Sequence, residues 1–152
     1  MRRLLGLIPI AVVCALVVAV SASAGGSNTA GKSVTVIEHA TTDTTTDTGQ
    51  SGDSAGDVLT FANDVYNAED KLKAGTDNGY CLRTVAGAAY ECTWTVSLES
   101  GAIVVNGPFY DTKDSTLAIT GGTGSYKGAR GTMDLRSRDN GAKYVFAYHV
   151  IG

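Results

Sequence analysis

Three groups of residues in this sequence could carry chemistry: a glycine-dense stretch holding a lysine, a pair of histidines, and a carboxylate set in an apolar strand. The stretch is "LAITGGTGSYKGARGTM", Leu117 to Met133, with Gly121, Gly122, Gly124, Gly128 and Gly131. A phosphate-cradling loop needs Gly, four residues, then Gly-Lys-Ser/Thr. Here Lys127 precedes Gly128 and no hydroxyl residue follows in register. A dinucleotide fingerprint needs a third glycine at position 127, which is Lys127, and no βαβ unit surrounds it. The stretch therefore reads as a corner, where glycines accept positive φ and let strands bend closely past one another. His39 and His149 have no acidic cluster at metal-ligand spacing and read as neither ligands nor triad members.

The carboxylate is Glu38, in "SVTVIEHA". On a strand, residues two apart share a face, so Glu38 stands with Val34 and Val36. Leu59, Phe61, Asn63 and Val65 share a face in the same way. In "AYECTWTVSL" one face carries Tyr90, Cys92, Trp94, Val96 and Leu98, and the other Glu91, Thr93, Thr95 and Ser97. Joined, the apolar faces enclose an aromatic interior with one acid and one amide, which suits a small hydrophobic ligand. A filled core would look similar, but a buried carboxylate needs a partner or a raised pKa.

The 152 residues suggest one domain. Arg2 and Arg3, the apolar run Leu4–Val20 and Ala22-Ser23-Ala24 read as a signal peptide over 1–24. A transmembrane anchor is the rival reading, but the run is roughly 17 residues, at the short limit for a span. Removing the leader takes away two arginines and no acid, leaving 10 basic against 15 acidic residues. That mildly acidic chain has no basic stripe interleaved with aromatics, which argues against a nucleic-acid partner, and no basic patch for anionic membranes. The expected location is extracellular. Cys14 lies in the leader, so the mature chain keeps Cys81 and Cys92, which in an oxidising compartment most simply form one disulfide. They flank a tight turn near Gly87 and would face each other across a hairpin.

Residues 25–32 read as a flexible leader and Thr41–Gly56, "TTDTTTDTGQSGDSAG", as a mobile low-complexity loop. The rest is strand and turn. Strands are expected at Ser33–Ala40, Val58–Tyr66, Gly79–Ala86, Ala89–Leu98, Gly101–Asn106, Ser115–Thr120, Gly131–Arg138 and Ala142–Ile151, separated by turn signals that include "AGTDNG" and "NGP". Eight antiparallel strands close into a barrel wide enough for one small ligand; a two-sheet sandwich is the alternative.

"GPFYDTKDSTLAITGGTGSYKGARG" resembles the signature region of the allene oxide cyclase family, and "GGTG…ARG" is also similar to dirigent proteins. The likeness extends upstream through "GDVLTFANDVYNAEDKLKAGTDNGYC" and covers roughly Val34 to Gly152. It implies an all-β, eight-stranded antiparallel barrel over 33–152, lipocalin-like in general shape and often trimeric. It also implies an isomerase chemistry in which a glutamate stabilises the delocalised cation formed as an epoxide opens to a cyclopentenone. By that resemblance Glu38 in "VIEHA" is the catalytic glutamate, Asn63 in "GDVLTFAN" the pocket amide, Cys81 in "GYC" a pocket cysteine and Phe109 the wall aromatic, usually tyrosine. No cofactor is implied.

Three departures matter. The family holds an oxygen-anchoring water with an asparagine two residues after the glutamate and a later Ser-Pro; here the first position is Ala40 and the second is lost in the threonine-rich loop. Cys81 is drawn into a disulfide with Cys92. Phe109 lacks the hydroxyl. Arg83 reads as a surface or strand-edge cation rather than a lumen group. Three functions remain open: a barrel steering the cyclisation of an unsaturated molecule, a non-catalytic carrier or dirigent-type guide, and a secreted structural protein with a filled core.

Overall fold

The structure is a computed structural model that describes residues 31–151; the leader, and the export signal read in it, lie outside the described residues. The described residues form nine strands: β1 (Lys32–His39), β2 (Thr44–Thr46), β3 (Val58–Asn67), β4 (Lys73–Val85), β5 (Ala89–Leu98), β6 (Gly101–Tyr110), β7 (Ser115–Gly122), β8 (Arg130–Arg138) and β9 (Lys143–Ile151). Neighbours from β3 to β9 pair in chain order, β9 pairs with β1, and β1 pairs with β3. Every pairing is antiparallel. The eight long strands thus close into a barrel, the all-β architecture expected from the strand count. Closure pairs the edges that an open sheet would leave free.

The ninth strand, β2, is short and completes the wall rather than joining the circle. β1 pairs with the far part of β3, from Val36↔Asn67 to His39↔Asp64. β2 takes the near part, from Thr44↔Thr60 to Thr46↔Val58. The threonine-rich segment is therefore built into the structure rather than a loose loop. Its threonines suit a strand, since β-branching favours extended backbone.

Alternation decides which side chains enter the lumen. β5 turns Tyr90, Cys92, Trp94 and Val96 inward, all buried, and leaves Glu91 and Ser97 exposed. Ile103 and Val105 from β6, Met133 from β8 and Tyr148 from β9 meet Val65 and Val96 in a core with almost no solvent exposure.

Two sequence-based turns are strand instead. Ala74–Gly79 lies within β4, opposite β3 and β5. Gly79 faces Trp94 there, and a Cβ at Gly79 would stand 2.3 Å from the Trp94 Cβ. The glycine makes room for the indole; it does not break the strand. Asn106–Pro108 lies within β6, and Pro108 sits beyond the last β6–β7 pair, Asn106↔Ala118, where its missing N–H leaves no rung incomplete. The glycine-dense stretch is a corner. β7 ends at Gly122, a 3-10 turn spans Gly124–Tyr126, and β8 starts at Arg130. Gly124 and Gly128 hold φ of 57° and 81°, backbone that other residues seldom adopt.

Candidate functional site

Towards the end of the barrel where β1 gives way to β2, the lumen is not filled. A cavity of about 60 Å³ lies there, lined by the rings of Phe61, Trp94, Phe109, Tyr144 and Phe146, with Glu38 and Asp43 as its carboxyl groups. That is room for a few water molecules or for one slim end of a ligand. It opens past Phe109, Leu135 and Tyr144, which it shares with a wider hollow of about 530 Å³ between Tyr110–Asp114 and Asn140–Gly141. The rings brace one another: Trp94 lies 5.3 Å from Phe146 and 5.9 Å from Phe61, and Phe109 meets Tyr144 edge-on at 5.8 Å. The disulfide Cys81–Cys92 joins β4 to β5 in the same wall.

Glu38 is 5% exposed. Asn63 donates from Nδ2 to Glu38 Oε1 at 2.7 Å and to Asp43 Oδ1 at 2.7 Å. Its Oδ1 accepts the backbone N–H of Thr41 and of Thr42, and the Thr42 hydroxyl. Asn63 is thus fully committed: one side of the amide holds two carboxylates, the other ties down the start of the threonine-rich segment. Next to Asn63 across the β3–β4 ladder stands Asp77, wholly buried, with Glu38 as its carboxyl partner. Burial pushes Glu38 up to about 7; Asn63 and Asp77 oppose the shift and the Asp43 charge adds to it. Burial, then the Glu38 charge, pushes Asp77 up to about 9. At neutral pH Asp77 therefore holds its proton while Glu38 is poised between its two states. The indole N–H of Trp94 and the hydroxyl of Tyr148 are buried beside each other. Burial raises the Tyr148 pKa, so its hydroxyl stays protonated.

A second ionic cluster holds the rim. Arg83 is buried, not a surface cation. Its Nη1 donates to both Asp111 oxygens at 2.8 Å, its Nε pairs with Asp53 at 2.7 Å, and the guanidinium lies 3.7 Å over the Tyr90 ring. Asp57 accepts from the N–H groups of Thr48 and Ser54, which hold its carboxyl below the usual range. Arg83 and Asp57 together strap residues 41–56 against the barrel.

The residues singled out in the sequence fall as follows. Glu38, Phe61, Cys81, Trp94 and Phe109 line the cavity, and Cys92 lines it beside Cys81. Asn63 stands behind Glu38 as its hydrogen-bond partner. Tyr90 is on the inner face but lies under Arg83, outside the cavity lining. Sequence reasoning missed Asp43, Asp77, Tyr144 and Phe146. Counting inward by twos from Cys81 would have reached Asp77, and from Tyr148 would have reached Tyr144 and Phe146. Gly52-Asp53-Ser54-Ala55-Gly56 has the spacing of a nucleophile elbow. It lies in the strapped segment rather than between strand and helix, and Ser54 Oγ donates to Asp57 at 3.3 Å. His39 pairs with Asp70 and His149 with Asp134, so no triad forms.

Solved structures share this architecture. A pyocyanin demethylase superposes with a TM-score of 0.67 at 26% identity, over 76% of this chain and 98% of that one. The exo-specific intermolecular Diels–Alderase AbnU superposes at 0.65 with 13% identity, over 79% of this chain and 97% of that one. A pterocarpan synthase dirigent protein follows at 0.61 with 14% identity, over 80% and 97%. The last two share the fold alone. The family model described as allene oxide cyclase matches residues 31–152, nearly the whole described barrel. Strand order, barrel closure and that match agree, and the chain belongs to the allene oxide cyclase family.

Proposed function

We propose that the barrel binds a small unsaturated hydrophobic molecule, end-on in the aromatic lumen, and that Glu38 stabilises positive charge on it, steering an isomerisation or cyclisation. The observation that carries this reading is a buried carboxyl in an aromatic cavity, oriented by Asn63 and titrating near neutrality. Such a group ionises where charge develops on the ligand, in a medium that screens little. The departures at Ala40 and Phe109 are met by other polar groups, since Asp43 and the Tyr144 hydroxyl line the same space. The neighbours' names, a demethylase, a Diels–Alderase and a dirigent protein, support small-molecule chemistry in barrels of this shape.

The test is a coupled assay in which the mature protein meets freshly generated allene oxide and the enantiomer ratio of the cyclopentenone is read by chiral chromatography. An excess of one enantiomer, abolished by Glu38→Ala, supports a cyclase. A product identical to the protein-free control removes that substrate. Binding of aromatic probes without turnover then favours a carrier, the reading that loss of the family's anchoring asparagine supports. A lumen that takes no probe leaves a structural protein.

Export is part of the same proposal, resting on the Leu4–Val20 run and on the disulfide. A trimer needs an apolar outer face, and Tyr80 and Leu82 on β4 are exposed there.

A further inference from the structure

The lumen has a charge problem that a neutral ligand would not solve. Its lining holds two carboxyls, Glu38 and Asp43, and no lysine, arginine or histidine. Asp77 adds a third carboxyl behind the wall, a hydrogen-bond partner of Glu38 that feels the Glu38 charge. Asn63 is the group that bridges two of them, and both its N–H bonds are committed. Among the described residues, three cations outside the lining are bound elsewhere. Arg83 pairs with Asp111 and Asp53, and Lys143 pairs with Asp70. Lys113, in the outer hollow, lies over the Tyr110 ring. Asp77 keeps its own proton beside Glu38, so the two carboxyls of the lining, Glu38 and Asp43, stand with no cation of the protein's own. Around these groups stand five aromatic rings, whose faces attract cations. Aromatic faces together with desolvated carboxyls favour a flat cation over a neutral ring of the same shape.

Accepting the lumen as the binding site, we propose that its ligand already carries a delocalised positive charge on the ring that enters, as an N-alkylated aromatic heterocycle does, with Glu38 and Asp43 as its counter-charges. In the ligand-free barrel burial keeps part of the Glu38 population protonated around neutrality. A cationic ring displaces that proton, so binding and ionisation are linked. The groups facing Glu38 are Asn63 from β3, Asp77 from β4, Asp43 from the segment before β2, and Tyr144 and Tyr148 from β9. Asp77 and both tyrosines keep their protons through neutrality, which leaves Glu38 to set the pH response.

The experiment uses three probes of one shape: N-methylquinolinium, its neutral carbon isostere 1-methylnaphthalene, and anionic 1-naphthoate. Affinities come from calorimetry, with emission of Trp94, the single tryptophan, as the independent reading. The proposal expects the cation to bind at least about tenfold more tightly than the neutral isostere at about pH 8. Its affinity should fall about tenfold between about pH 8 and pH 6, as Glu38 takes up its proton. Glu38→Gln should abolish both the preference and the pH response while 1-methylnaphthalene still binds, and Asp43→Asn should weaken the preference. His39→Gln, on the outer face, should change neither. If 1-methylnaphthalene binds as well as the cation and Glu38→Gln alters nothing, the charge proposal is overturned and the hydrophobic lumen stands. If none of the three binds, the lumen reading itself fails, and this proposal with it.

Discussion

The two ends of this barrel are made by the same strands and have opposite contents. Towards the 3-10 corner, Val65, Val96, Ile103, Val105, Met133 and Tyr148 fill the lumen with almost no exposed surface. Towards β2, Leu59, Phe61, Phe109 and Tyr144 are only half-buried and border free space. The difference lies in side-chain shape. Branched aliphatics from opposite walls interdigitate to interior density, whereas flat rings brace one another edge to face and leave a slot between them. Polar groups follow the same division. Glu38, Asn63 and Asp77 sit at the junction, where the filled end supplies the burial and the open end supplies the access.

The comparison is broken most directly by the same truncation at each end. Leu117→Ala, beside Gly107 and Met133, should destabilise by about 3 kcal/mol or more, since the cavity it leaves cannot collapse. Leu59→Ala, already against free space, should cost about 1 kcal/mol and instead change probe affinity. Equal losses in denaturant titrations would mean that the two ends are packed alike.

Removing the disulfide comes next. Cys81 and Cys92 are 11 residues apart, and a loop of that length constrains the unfolded chain by about 3 kcal/mol. Cys81→Ser with Cys92→Ser should lower stability by about that amount. Probe affinity should change little, because the rings are held by β-pairing on both sides. A double variant that remains stable and loses binding would reverse this assignment.

Asp77 sharpens the comparison through pH. The folded state holds protons on Asp77 and Glu38 that the unfolded chain releases near the ordinary carboxylate values of 3.8 and 4.5. Stability from these groups is complete below those values. It falls as pH rises towards about 7 for Glu38 and about 9 for Asp77. Asp77→Asn should therefore melt higher than the parent protein at about pH 8, by more than the ~1.4 kcal/mol that one pKa unit represents. At about pH 4 the two should melt together. A variant destabilised at both pH values would show that the carboxyl, not its proton, is what the fold needs.

The smallest effect is expected at the rim. Arg83→Gln frees Asp53 and Asp111 and should release residues 41–56, seen as faster amide exchange at Thr48 and Ser54. Global stability should change by only about 1 kcal/mol, because the aspartates left behind, Asp53 and Asp111, are open to water. Unchanged exchange in that segment would show that β2 alone holds it.

Much of this arrangement was legible in the sequence because alternation is local. The inward faces of β1, β3 and β5, with Glu38 and Asn63 on them, and the Cys81–Cys92 pairing follow from counting by twos, whereas the pocket roles of Glu38 and Asn63 came from the family resemblance. Asp77 was hidden by its neighbours: Gly75 and Gly79 read as turn residues, yet β4 needs them because a Cβ at either would collide with β5. Gly107 and Pro108 misled in the same way, since what permits them is the local end of β7 pairing, a tertiary fact. The threonine-rich segment looked mobile because its anchors, Asn63, Asp57 and Arg83, act across distances that composition does not encode. For the same reason Asp43 entered the lumen unannounced.

The most direct measurement is a carbon-detected NMR titration of the Glu38 side-chain carboxyl, with and without a saturating aromatic probe that enters the lumen. The account predicts a midpoint near 7 in the free protein and a displaced midpoint once the probe is bound. A Glu38 that titrates at the ordinary 4.5 and ignores the probe would contradict it, leaving a solvated strand residue in a barrel with no site at that wall.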